Sequence, residues 1–137
     1  MDYKLLEEQD ALLMSSFTDD MNTTYEATMI YNFLQEPNTL GFVAKDEGRV
    51  IGFAYGYLLV KPDGRKDFYL HAVDVMKEYQ GKGCGTSLMR YARNYIRSIG
   101  CRKLFLITDQ NNLAACKCYE NAGGKKSETD DVVYVFE

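Results

Sequence analysis

The sequence predicts a mixed α/β domain: a mostly antiparallel sheet with one splayed parallel strand pair and helices on both faces. Three observations predict it. Between Thr39 and Val75, three runs rich in β-branched and aromatic residues follow one another, separated only by the turn signals "DEG" and "KPDGRK", which is the pattern of an antiparallel meander. Two stretches of helical periodicity precede this meander and two follow it, with the apolar run "KLFLIT" between the later pair, so one β-α-β crossover adds a parallel strand. Finally, 137 residues that are 46% hydrophobic and 26% charged, with two prolines and no low-complexity tract, fit one domain over residues 1–137 around one core.

Each element has its own signal. "YKLL" reads as a short first strand, and "EEQDALLMSSF" as an amphipathic helix on Ala11, Leu12, Met14 and Phe17. "TTYEATMIYNFLQE" repeats the helical pattern with Tyr25, Met29, Ile30, Phe33 and Leu34, and Pro37 stops it. "TLGFVAKDEGRVIGFAYGYLLV" is a hairpin, in which Gly52 and Gly56 mark a bulge or a close backbone approach. In "DFYLHAVDV", Phe68 and Leu70 alternate with Tyr69, His71, Val73 and Val75 to make a third antiparallel strand. "TSLMRYARNYIRSIG" spaces Leu88, Tyr91, Ala92, Tyr95, Ile96 and Ile99 into one buried stripe, closed by Gly100. "KLFLIT" is a buried strand, "NLAACKCYENAGG" a short helix with a glycine stop, and "DDVVYVFE" a last strand.

Composition limits the function. A net charge of −4 disfavours nonspecific nucleic-acid binding and mildly favours cationic partners. No apolar run reaches the roughly 18 residues of a membrane span, and "MDYKLLEEQD" is acidic where a signal peptide is basic and then apolar, so no membrane partner and a cytoplasmic location are expected. In that compartment Cys84, Cys101, Cys116 and Cys118 are expected as free thiols. Cys116 and Cys118 stand two apart in a helix and point to different faces, so no metal site is expected.

The chemistry concentrates in "EYQGKGCGTS", where Gly81, Gly83 and Gly85 alternate with other residues. Bare backbone at that density turns several N–H groups toward one point, and the helix that follows adds its positive end, so a phosphate is the expected occupant. A P-loop is excluded, because Lys82 sits between glycines with no Lys-Thr pair after them. A dinucleotide turn follows its strand immediately, whereas here "MKEYQ" intervenes after Val75 and the glycines run G-x-G-x-G; Asp109 would be the ribose ligand in that reading.

"QGKGCG", Gln80 to Gly85, resembles the Q-x-x-G-x-G signature of the GNAT superfamily of acyl-CoA N-acyltransferases. Asn112, Ala115 and Tyr119 in "NLAACKCY" are similar to that family's N-x-x-A-x-x-x-Y, and the element order resembles the family's over essentially the whole chain. The resemblance implies a single-domain GNAT fold and acetyl-CoA as cosubstrate. It implies that Val73, Val75, Gln80, Gly81, Lys82, Gly83, Cys84, Gly85, Thr86, Asn112, Ala115 and Tyr119 contact that cosubstrate, with its pantetheine arm in the gap beside the strand ending at Val75. Direct attack by an amine is implied, with the Val75 N–H as oxyanion donor and Tyr119 as acid for the departing thiolate; a core-packed aromatic is the plainer reading of Tyr119.

The base stays open between His71 and Asp74. An imidazole suits proton uptake near neutrality, and "HAVDV" resembles the H-A-L-A-V strand of aralkylamine N-acetyltransferases, although a lone strand histidine is as often merely packed. From the meander to the tail, the chain also resembles the aminoglycoside 3-N-acetyltransferases. Those carry Y-D-L-A-V on this strand, so Ala72 replaces their aspartate, and Asp74, two residues on and on the same face, stands in for it. Asp19, Asp20, Asp130 and Asp131 can border a groove for a cationic acceptor, solvent-facing charge being their commoner role. The expected activity is acetyl transfer to a small primary amine, with an aminoglycoside as one candidate and a homodimer admitted. A protein or peptide amine and a non-catalytic acyl-CoA sensor are the alternatives.

Overall fold

A computed structural model describes all 137 residues. Five strands form one sheet in sequence order: β1 (Asp2–Leu5), β2 (Thr39–Asp46), β3 (Arg49–Val60), β4 (Lys66–Val75) and β5 (Lys103–Phe105). The first four pair antiparallel, and β5 joins β4 in parallel. The helices are α1 (Ala27–Gln35), α2 (Cys84–Ser98) and α3 (Leu113–Asn121), with 3-10 segments at Glu8–Ser16 and Lys77–Tyr79. Cross-strand pairing separates the two faces of the sheet. Phe42, opposite Ala54, meets Phe68, Tyr91 and Tyr95 edge-on beneath α2, whereas Phe53 and Tyr55 meet Phe17 and Phe33 on the α1 side.

The predicted helix "EEQDALLMSSF" is instead a 3-10 segment. Its buried residues Ala11, Met14 and Phe17 recur every third position, the period of the tighter helix, and Leu12 points to solvent. The Ser15 and Ser16 hydroxyls donate to the Leu12 and Leu13 carbonyls, drawing acceptors away from an α-helical ladder. Asp10, buried inside this segment, accepts the Glu7 N–H at 2.9 Å and pairs with Lys4 and Lys45, which pins the segment to β1 and β2.

Two further expectations are corrected. "DDVVYVFE" forms no strand, and Val132 to Phe136 are exposed. The neighbouring β5 offers an edge of only three residues, too few ladder bonds to offset the ordering of a polar connection such as "KKSETDD". Of "KLFLIT", only Lys103–Phe105 pairs, with Asp67–Tyr69. That closed end is clamped by buried Asp67, which pairs with Lys61 Nζ at 3.0 Å and Arg102 at 3.4 Å. Beyond it β4 and β5 part company, and residues 70–75 have no neighbour on that edge.

A bulge decides which way the end of β4 faces. In the β3–β4 register Ala72 opposes Tyr55 and Leu70 opposes Gly56, so His71 is the extra residue. The alternation predicted for "DFYLHAVDV" therefore inverts after His71. Tyr69, Ala72 and Asp74 lie on the α1 face with their partners Tyr57, Tyr55 and Phe53, while Leu70, Val73 and Val75 face α2.

Candidate active site

The site forms where the open end of β4, the head of α2 and the first turns of α3 meet. A Cβ added at Gly85 would lie 3.1 Å from Cys118 Sγ and 3.7 Å from a Val75 methyl, which measures how closely the three elements converge. The Thr86 hydroxyl adds a contact to Cys118 Sγ at 3.7 Å.

At the head of α2, Gly81 (φ 76°) and Gly83 (φ 84°) are left-handed, a conformation that a side chain would strain, and Gly83 caps the helix. The N–H groups from Gly81 to Thr86 take no acceptor elsewhere in the chain; the first spent on the helix is Ser87, bonded to the Gly83 carbonyl at 3.0 Å. Six unspent donors, the positive end of a 15-residue helix and the exposed Lys82 ammonium give this turn the hydrogen bonds and the charge by which a helix head holds an anion. Cys84 is buried under the turn, and the Gln80 side-chain amide donates to the Val75 carbonyl at 2.8 Å, tying the turn to β4.

The backbone of β4 supplies the next groups. Met76 N–H donates to the Ile51 carbonyl, which makes Val75–Gly52 a non-hydrogen-bonded pair, as is Val73–Ala54 by alternation. The N–H groups of Val73 and Val75 therefore point into the opening between β4 and β5. They are free to bind an extended, amide-bearing chain as an added strand.

Tyr119 is half-buried on α3 beside Cys118. Burial, followed by the neighbouring Cys118 and Asp74, pushes its phenol up to about 12, so it keeps its proton at any working pH. Asn112 accepts the Ala115 N–H at 3.2 Å, so these two motif residues start α3 and thereby set the position of Tyr119. Asp74 is pushed up to about 6 by burial and by the charges of Asp19 and Asp20. His71 is exposed among Tyr55, Tyr57 and Tyr69, and its Nδ1 lies 3.2 Å from the Tyr69 hydroxyl.

Asp19 and Asp20 line a polar cleft with Lys77, Glu78 and Gln80, whereas Asp130 and Asp131 lie in the exposed tail and do not line it. Burial opposes the charge of Asp19, yet the Thr23 and Met21 N–H groups and the Tyr25 hydroxyl hold its carboxyl below the usual range. Sequence reasoning assigned Tyr25, Met29 and Phe33 to a core stripe and missed that they border a second, apolar cleft. The available signal was Tyr25 itself, whose hydroxyl needs a polar partner.

Asp74 also carries a stability prediction. Its folded value lies above the unfolded 3.8, so the fold binds the proton more tightly and loses stability as pH rises from 3.8 through about 6. After discounting for solvent screening of this half-exposed group, the loss is about 1 kcal/mol. Asp74→Asn is expected to raise Tm by about 3 °C at pH 8 and to leave it unchanged at pH 3.5. An equal gain at both pH values would exclude the titration as its cause.

A run of free donors at a helix head, a strand pair opened beside it and a protonated phenol thus stand together at one junction of a mixed α/β fold. Residues 6–123 match the acetyltransferase (GNAT) family, and the chain belongs to that family. It is 27% identical over 108 residues to an N-alpha-acetyltransferase 30 of Schizosaccharomyces pombe, covering 76% of this chain and 69% of that protein. With a mycothiol acetyltransferase of Saccharopolyspora erythraea it shares 28% over 90 residues, 66% of this chain and 29% of that one, so it spans under a third of that relative. Its fold superposes with TM-score 0.80 and 15% identity on an aminoglycoside acetyltransferase from a soil metagenomic sample solved with sisomicin, covering 99% and 96% of the two chains. No helix is long and apolar enough to cross a membrane.

Proposed function

We propose that this chain transfers the acetyl group of acetyl-coenzyme A to the primary amine of a small molecule by direct attack. The supporting observation is the adjacency of six unspent N–H groups at the head of α2 to the outward-facing N–H groups of Val73 and Val75. When bound, acetyl-coenzyme A supplies the thioester. The residues of Gly81–Thr86 hold its diphosphate, Lys82 adds charge, and Val73 aligns its arm. The Val75 N–H donates to the carbonyl oxygen, and Tyr119 gives its proton to the coenzyme A thiolate as the C–S bond breaks. Asp74 takes the proton of the incoming amine, its carboxyl lying close to neutrality; His71 is the other candidate base.

Thiol release measured with acetyl-coenzyme A and a panel of amines tests this reading. An N-acetylated amine identified by mass, equal in amount to the thiol, is the expected result. A rise in Tm with acetyl-coenzyme A but no thiol from any amine would instead make the protein a sensor. An aminoglycoside is the narrower form of the proposal, supported by the shared fold and by the Asp19, Asp20 and Asp74 carboxylates. A peptide α-amine is the second reading, favoured by the N-alpha-acetyltransferase relative.

The base is separable by pH. If Asp74 is the base, the acid limb of kcat/KM near pH 6 survives in His71→Gln and disappears in Asp74→Asn. The reverse pattern assigns the proton to His71.

A further inference from the structure

Three donors fix the Asp19 carboxylate. Its Oδ1 accepts the Met21 N–H at 3.0 Å and the Thr23 N–H at 2.9 Å, and its Oδ2 accepts the Tyr25 hydroxyl at 2.8 Å. Tyr25 is itself held, for its ring meets Phe53 edge-on at 5.4 Å and lies 6.1 Å from the buried Phe17. Phe53 is the cross-strand partner of Asp74 and shares its face of the sheet. A chain of contacts thus runs from Asp19 through Tyr25 and Phe53 to Asp74. On the opposite wall of the polar cleft that Asp19 lines stands Gln80, which donates to the carbonyl of Val75, the residue after Asp74. Both walls of the cleft are therefore anchored at the end of β4.

The two carboxyls differ in their donors. The bonds to Asp19 favour its ionised form, whereas no donor offsets the burial of Asp74 or the nearby charges of Asp19 and Asp20. When an acidic pair takes up one proton, Asp74 receives it. The other groups around Asp74 leave this order intact. Tyr25, Tyr55 on β3 and Tyr119 on α3 have raised proton affinities and stay neutral. Lys77 and Glu78, across the cleft, are exposed and opposite in sign, and Glu78 pairs with Arg49 at 3.6 Å. Asp20 is exposed, where solvent screens its charge, and His71 on β4 is exposed among tyrosines.

We propose that Asp19 is a positioning residue for the transfer: its fixed charge beside the end of β4 makes Asp74 the group that takes the proton given up by the amine. This rests on the acetyl-transfer reading above and deepens it. Asp19 acts through Asp74, and Tyr25 keeps it in place. As the amine nitrogen bonds to the acetyl carbon, its proton passes to an Asp74 oxygen and from there to solvent.

Asp19→Asn removes the charge and keeps the contacts, because the amide oxygen still accepts the two N–H groups and the amide NH2 donates to the Tyr25 oxygen. Asp74 is titrated by NMR of its carboxyl carbon in the free protein, and kcat/KM is followed by thiol release from acetyl-coenzyme A with the most reactive amine. Both midpoints are expected to fall by about one pH unit, so at pH 5 the variant keeps about half of its plateau rate, against about a tenth for wild type. Asp20→Asn is expected to move them less. Asp19→Ser, whose hydroxyl accepts the same amides, gives the same shift should Asp19→Asn not fold. An Asp74 midpoint that stays in place, or that moves further with Asp20→Asn, overturns the inference. So does an Asp74 midpoint that falls while the acid limb of kcat/KM stays, which assigns the proton to His71 and leaves acetyl transfer standing. Thiol release with no amine overturns both.

Discussion

Tyr119→Phe is expected to lower kcat by about 100-fold, a loss of about 2.7 kcal/mol of transition-state stabilisation, while acetyl-coenzyme A binds within about twofold of wild type. The substitution keeps the ring that packs against the core and removes only the hydroxyl. Burial and the nearby Cys118 and Asp74 hold that hydroxyl protonated, so in the proposed reaction it would stand before the departing thiolate as a donor. Single-turnover kinetics with acetyl-coenzyme A and a reactive amine, paired with equilibrium titration of coenzyme A, separate the two effects. An unchanged rate at the chemical step would remove Tyr119 as the acid.

The second large effect is structural. A Cβ at Gly56 would lie 2.0 Å from the Tyr69 carbonyl oxygen and 2.9 Å from Leu70 Cα, both backbone atoms of the paired strand. Relief requires β3 and β4 to separate at the bulge that sets the facing of Val73, Asp74 and Val75. Gly56→Ala is expected to cost more than about 4 kcal/mol, much of the 5–15 kcal/mol by which a domain of this size is stable. Urea unfolding followed by circular dichroism measures it. A variant that unfolds within about 1 kcal/mol of wild type would show that the strands shift at little cost and that the bulge is not rigid.

Much of this was legible along the chain. The alternation of apolar residues gave the meander, the stripe of Leu88, Ala92 and Ile96 gave α2, and Gly81 and Gly83 before that stripe gave the left-handed turn that caps it. These signals are local, because hydrogen bonding, periodicity and backbone freedom are decided within a few residues. The 3-10 segment was misread because Ala11, Met14 and Phe17 satisfy a three-residue and a 3.6-residue period almost equally over so short a span. The tail strand was misread because pattern alone does not state whether a sheet edge is available to receive it.

The sequence by itself determined the antiparallel meander, the long helix after it and the glycine turn at that helix's head. Tertiary structure decided their facing and their company: the extra residue at His71 turns Asp74 toward Phe53 and Tyr55 and leaves the Val75 N–H open, and the pairing of Tyr25 with Asp19 joins an apolar cleft to a charged one. The physical reason is that a bulge reverses every side chain after it, and its place depends on the register between two strands, which neither strand carries alone.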